Sequence, residues 1–275
     1  MPTITIIFTC HNRIEKTRKC LETIEDDELD LSYIIVDDGC SDGTGEMIEI
    51  FLKSKKRDLK LIRGDGNLYW AGGMRKGIGY YLDKSKKTDY VCLLNDDVVF
   101  VPDVLKKMLE RSKRLNDAVI VGVTSDSKGK MTYGGVRCRK GTVKYELIPI
   151  EKADEEQCDT FNCNCILLKD DIIRETGNFD EVYTHALADY DYGFTLKRHK
   201  VDVYETDTII GVCEWPQKRN TWQDVSLSRK ERLRLKETPK GIPRKEWYHY
   251  LRKNFGVTKA VWHSITPYIR IIMAR

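Results

Sequence analysis

The sequence predicts an α/β protein: a mostly parallel, mixed sheet wound with helices on both faces, Rossmann-like, followed by a C-terminal helical extension. Three observations carry this. Residues 3–9, 33–36 and 90–94 are β-branched and aliphatic runs that stop abruptly at polar clusters, the pattern of strands buried on both faces. Amphipathic stretches lie between them, and such alternation implies right-handed crossovers. From about residue 216 the chain becomes basic and aromatic, which divides it into a sheet domain (1–215) and an extension (216–275).

Each element has its own warrant. The first strand runs into Cys10-His11-Asn12-Arg13, and Ile14, Cys20, Leu21 and Ile24 share one face of the helix after it. The second ends at Asp37-Asp38-Gly39. Ser41-Asp42-Gly43-Thr44 then supplies turn and N-cap chemistry for a helix striped by Met47, Ile48, Phe51 and Leu52. Residues 64–75 are Gly-rich and read as a loop whose backbone N–H groups cradle a diphosphate, with Arg75 assisting. They fit neither the P-loop nor the GxGxxG pattern. The third strand ends at Asn95-Asp96-Asp97, and Pro102-Asp103 opens a helix carrying Leu105, Met108 and Leu109. Beyond it come a strand over 119–123, a hairpin over 133–143 turning at Gly134-Gly135, and a strand over 160–168. A turn at 177–180 precedes His185 and Asp189-Tyr190-Asp191, where an amphipathic run begins.

Composition narrows the class. With 275 residues, 41% hydrophobic and 33% charged, the chain reads as a globular protein. The N-terminal apolar run is too short for a signal peptide and no stretch is long enough to span a bilayer. The expectation is therefore a cytoplasmic protein. Nine cysteines, an odd number without a paired CxxC, read as buried free thiols. Residues 228–253 hold ten Lys/Arg against three Glu in a chain of net charge +4, which suits an anionic partner or a solvated helical face.

In doubly wound sheets, ligands bind beyond the carboxyl ends of the strands, where all three polar clusters lie. Hard cations such as Mg²⁺ or Mn²⁺ take carboxylate oxygens. Adjacent acids at a strand end diverge, so Asp97 is assigned the metal and Asp96 a sugar or basic neighbour. Asp37 and Asp38 suit a nucleobase N–H or a ribose hydroxyl. Each cluster alone is also an ordinary turn or cap, and Asp189 at a helix start is also ordinary capping.

With these clusters in this order, residues 3–215 resemble the family 2 glycosyltransferases, inverting enzymes with a GT-A fold. The resemblance implies a nucleotide-sugar donor held by Thr9, Asn12, Arg13, Asp37, Asp38, Asn67, Gly72 and Asp96. It implies Mg²⁺ or Mn²⁺ on Asp97, in the place of the family's Asp-x-Asp motif, and Asp189 as the base that deprotonates an acceptor hydroxyl. His185, Asp191 and Trp222 are its candidate acceptor or phosphate contacts. Two departures stand out: Asn95 replaces the first acid of Asp-x-Asp, and Ala188 stands where many members have Glu. Thr221-Trp222-Gln223-Asp224 and PKGIPRKEW are similar to a bacterial subgroup that assembles surface polysaccharide (capsule, O-antigen or exopolysaccharide). That implies a glycan or lipid-linked acceptor. Interleaved aromatic and basic residues over 247–275 suit peripheral contact with the inner face of the cell membrane, or equally packing of these helices on the catalytic domain. No nucleic-acid module is present. The rival classes are a nucleotidyltransferase, whose basic Gly-rich first loop is missing here, and a non-catalytic nucleotide-sugar-binding protein.

Overall fold

The computed structural model describes residues 1–84, 86–215 and 219–274. The expected boundary at residue 216 therefore lies outside the described residues. The order is β1 (Thr3–Cys10), α1 (Ile14–Ile24), β2 (Asp30–Asp37), α2 (Thr44–Ser54), β3 (Asp58–Arg63), α3 (Tyr69–Lys84), β4 (Tyr90–Leu94), β5 (Val99–Phe100), α4 (Val104–Arg114) and β6 (Val119–Ser125). Next come β7 (Met131–Tyr133), β8 (Gly135–Cys138), β9 (Tyr145–Leu147), β10 (Thr160–Phe161), β11 (Cys165–Lys169), α5 (Asp170–Thr176), α6 (Ala188–Arg198) and β12 (Val203–Val212). Helices α7 (Arg229–Lys236), α8 (Arg244–Phe255) and α9 (Val257–Met273) close the chain.

The main sheet runs β3-β2-β1-β4-β11-β6-β12-β5, with β7 on β6. Strands β1 to β4 are mutually parallel, and β11 enters antiparallel between β4 and β6. Period-two alternation sorts the side chains between two layers. Ile4, Ile6 and Phe8 of β1 pack with Leu21, Ile48 and Met108 of α1, α2 and α4. Ile7 points the other way, to Met74 and Ile78 of α3. Each such side chain, fully buried, contributes roughly 1.5–3 kcal/mol.

Two expectations need correction. Residues 69–75, read as part of a loop, are the first turns of α3. Its glycines serve packing: a Cβ on Gly73 would collide with the Thr9 side chain, and one on Gly77 would come within 2.8 Å of Ile7 Cγ2. The hairpin is also displaced. β7 stays in the main sheet, while β8 and β9 form the hairpin and join β10 in a separate small sheet. Gly134 lies at the crossing because a Cβ there would meet Met131, Glu205 and Val123. Strands β3, β5 and β12 were not foreseen.

The extension shares the body's core, to which Tyr250, Leu251 and Ala260 belong. Pro267 lies inside α9 and cannot donate to the carbonyl four residues back. That His263 carbonyl instead accepts from the Trp247 indole N–H at 3.0 Å. Among the described residues no helix is long and apolar enough to cross a membrane, and all nine cysteines are free.

Candidate active site

Parallel register brings the carboxyl ends of β1, β2 and β4 to one edge, with Cys10 beside Asp37 and Ile7 beside Leu93. Arg13, just before α1, reaches across this edge. Its Nη2 lies 2.8 Å from Asp96 Oδ1 and its Nη1 3.0 Å from Asp97 Oδ2. Asp96 is buried and accepts from Thr17 Oγ1 at 2.9 Å. Burial pushes its carboxyl up to about 6; the Arg13 charge opposes this and Asp97 adds to it. Asp97 keeps 23% of its side chain exposed, with Cys213 Sγ at 3.8 Å from Oδ1.

Asn95 is a strut. Its Oδ1 accepts from the Trp70 indole at 2.7 Å and its Nδ2 donates to Asn164 Oδ1 at 3.3 Å. A carboxylate there could not make the second bond, which accounts physically for the departure from Asp-x-Asp.

Beside this edge, against Cys163 just ahead of β11, Asp189 occupies the first turn of α6. It accepts from the N–H groups of Cys163 at 3.2 Å and Tyr190 at 2.9 Å. Burial nonetheless pushes it up to about 6 against these hydrogen bonds. Tyr133 feels both acidic stations: burial raises its hydroxyl, and the charges of Cys213, Asp97, Tyr190 and Asp189 raise it further. Trp215 stacks on Tyr133 with ring centroids 4.7 Å apart and is 49% exposed. Sequence reasoning missed this aromatic pair, because β7 brings Tyr133 to the site from a segment read as a hairpin.

His185 is pulled down to about 4, first by burial and then by the positive charges of Lys240 and Arg13. Its buried Nδ1 has no hydrogen-bond partner. The charges of Arg13 and of Lys240, an extension residue the sequence did not single out, thus both reach His185. Arg75 donates to the carbonyls of Asp180 at 3.3 Å and Tyr183 at 3.0 Å, so it holds the loop leading to His185.

The other candidates are arranged as follows. Asp37 is fully buried, accepts from Cys40 N–H at 2.8 Å and pairs with the half-exposed Arg63. Asp38 accepts from the N–H groups of Gly66, Leu68 and Tyr69 at 2.9, 3.0 and 3.1 Å, capping α3. Asn12, left-handed at φ 49°, accepts from Ser41 N–H at 2.8 Å. Thr9 Oγ1 donates to the Val36 carbonyl at 3.1 Å, turned inward. Asn67 is exposed on the loop before α3, and Gly72 is buried within that helix. One candidate turns away. Asp191 points away from Asp189 and pairs with Lys253 Nζ at 2.7 Å and Asn254 Nδ2 at 2.8 Å. Trp222 lies before α7, its carbonyl accepting from Arg232 Nε at 2.9 Å. Among the described residues, the converging group of three metal-ligating side chains is Cys10, Asp37 and Cys40, not a set around Asp97.

The family model for glycosyl transferase family 2 matches residues 5–174, which include Arg13, Asp37, Asp96 and Asp97. The chain belongs to glycosyl transferase family 2. An uncharacterized protein of Methanocaldococcus jannaschii is 27% identical over 117 residues, 42% of this chain and 50% of that protein, so the match spans half of the relative's length. Among solved structures, the mannosyltransferase PcManGT of Pyrobaculum calidifontis, in complex with GDP-Man and Mn²⁺, superposes with a TM-score of 0.61 at 11% identity. That superposition covers 99% of this chain and 74% of the archaeal one. At that identity the likeness is one of fold, and the fold of this family 2 chain is the GT-A architecture expected from its sequence.

Proposed function

We propose that this family 2 chain is an inverting glycosyltransferase that moves a sugar from a nucleotide-diphosphate donor to an acceptor hydroxyl. The observation that carries the proposal is the gathering of two acidic stations where β4 ends and β11 begins: Asp96 and Asp97 bound by Arg13, and Asp189, in the first turn of α6, on the N–H of Cys163 beside the Asn95–Asn164 bridge. Asp189 takes the acceptor's proton, the freed oxygen bonds to the anomeric carbon, and the bond from that carbon to the diphosphate breaks with inversion. A carboxyl at about 6 is ionised at neutral pH and still basic enough for this role. Arg13 and Lys240 supply positive charge where the diphosphate departs.

The donor set fits a hard divalent cation: Asp97 offers carboxylate oxygens and is partly open. With one such residue, the remaining positions fall to water and donor phosphates, as is usual for Mg²⁺. When bound, the cation would neutralise the leaving diphosphate. Buried Asp37, at the far side of the Arg13 loop, suits the nucleobase. The Trp215–Tyr133 pair suits a sugar ring of the acceptor, since an aromatic face accepts apolar C–H surface. The resemblance of the 221–224 and 239–247 segments to polysaccharide-assembling enzymes supports a glycan or lipid-linked acceptor.

Melting the protein with a panel of nucleotide diphosphates, with and without Mn²⁺, tests the donor site, because a ligand of the native state raises Tm. One nucleotide giving a metal-dependent rise is the expected result. No rise with any of them would sink the proposal. Once an acceptor is in hand, Trp215→Ala should raise its KM several-fold and leave the donor's unchanged.

A further inference from the structure

We propose that the exposed face of α9 docks the chain on an anionic bilayer surface. The helix is two-sided. Ala260, Ser264, Pro267 and Ile271, at i, i+4, i+7 and i+11, are buried against the body, which is one stripe of a 3.6-residue helix. Val261, Trp262, Ile265, Ile269, Ile272 and Met273 fall on the opposite side of the helix and face solvent, Trp262 being 69% and Met273 75% exposed. Other large apolar residues exposed in the described structure, such as Ile50 and Val225, lie on separate elements far apart in sequence. Scattered exposure is normal, whereas a continuous apolar face marks an interaction surface.

Charge selects the occupant. α8 adjoins α9 through Gly256 and packs along it. It carries exposed Arg244, Lys245 and Arg252, and α9 adds exposed Arg270. Of the ten Lys/Arg in the segment 228–253, Arg232 and Lys236 are buried and Lys253 is paired with Asp180 and Asp191, which leaves seven, against three Glu. A second copy pairing through the same face would bring two such segments together and be repelled. A layer of anionic headgroups over an acyl boundary complements both the cations and the apolar stripe. α9 is 17 residues long with Pro267 inside, and it does not reach the length and apolarity of a span. The helix therefore lies along the surface.

This surface is separate from Asp97 and Asp189, and its test needs no turnover, so its failure leaves the transferase reading standing and the converse holds. The full chain would be sedimented with phosphatidylcholine vesicles and with vesicles enriched in phosphatidylglycerol. Ile265→Glu and Ile269→Glu would be run beside it, their Tm confirming the fold. The expected result is co-sedimentation with anionic vesicles that salt weakens and that each substitution lowers about tenfold (about 1.4 kcal/mol). Absence of binding to anionic vesicles, or binding untouched by both substitutions, would overturn the proposal. So would self-association by light scattering that Ile265→Glu abolishes while vesicles pellet nothing, because the face would then belong to a second copy.

Discussion

Asp96 and Asp189 are both pushed up to about 6 by burial, yet their partners divide their work. Asp96 faces the Arg13 guanidinium, whereas Asp189 is held by two backbone N–H groups and keeps oxygen lone pairs for a proton. Asp189→Asn should lower turnover by roughly 10²–10⁴ and leave donor binding unchanged, as measured by single-turnover rates beside nucleotide titration. Near-normal turnover in that variant would remove Asp189 as the base. A base must be ionised, so activity should rise with pH through about 6 and level off above it. That limb should persist in Asp96→Asn if Asp189 governs it. The acids themselves were legible in the sequence because they end apolar runs or begin a helix. Their directions were not. Asp38 caps α3 and Asp191 faces α8, and neither orientation is encoded in the neighbouring residues.

Helix α3 shows how an element can be hidden by the residues that make it fit. Gly72, Gly73 and Gly77 lower helix propensity and so suggest a loop, but Gly73 and Gly77 let the helix lie directly on β1. Gly73→Ala should destabilise the protein by about 1–3 kcal/mol through overpacking against Thr9. Gly72→Ala meets nothing closer than 3.5 Å, at Leu68 Cβ. It should be neutral or gain up to about 1 kcal/mol, a contrast that urea melts would reveal. Strand β12 escaped notice for another reason: its pairing with β6 shifts register between Glu205 and Ile209 and again before Gly211, which breaks the alternation that announces a strand. Glu205 pays for this position. It is buried, its Oε1 is unpartnered, and burial raises it to about 7 despite the Gly135 N–H and Arg111. A carboxyl raised on folding stabilises the native state below its unfolded value, and that contribution is lost as pH rises through the folded one. Wild-type stability should therefore decline between pH 4.5 and about 7. Glu205's share of the decline is on the order of 3 kcal/mol, and Glu205→Gln should remove that share in melts across the range while the shares of Asp96 and Asp189 persist below about 6.

At the scale of the molecule, the sequence divided the chain into a sheet domain and an extension, and the structure binds the two tightly. The aromatics of the extension suited both a membrane interface and packing on the body. Tyr250 and Phe255 turn inward against Tyr145, Tyr183 and Phe194, with Trp247 stacked on Tyr250, whereas α9 presents an apolar face outward. Composition cannot separate these cases, because both draw on the same residue types. Lys253 fastens the arrangement, reaching Asp180 at 2.8 Å and buried Asp191 at 2.7 Å. Although burial works against it, Lys253, the Val182 N–H and His249 hold the Asp180 carboxyl down to about 2. Lys253→Met strands Asp191 with only Asn254 and should cost about 3–5 kcal/mol, measurable as a lowered urea midpoint.

That fastening has a consequence for how the protein is made. Asp191 lies on the same helical turn as Asp189, so the residue proposed to receive the proton is braced by α8, which is synthesised after the whole sheet. A ribosome that stops before Arg244 releases a chain with every acid of the sheet edge in place. Such a product has no Lys253 to neutralise Asp191, and no Tyr250 or Leu251 to cover the core beneath α6. Nonsense mutations between β12 and Arg244 should thus behave as complete losses, with the unfinished chain going to proteolysis and no partly active enzyme left behind.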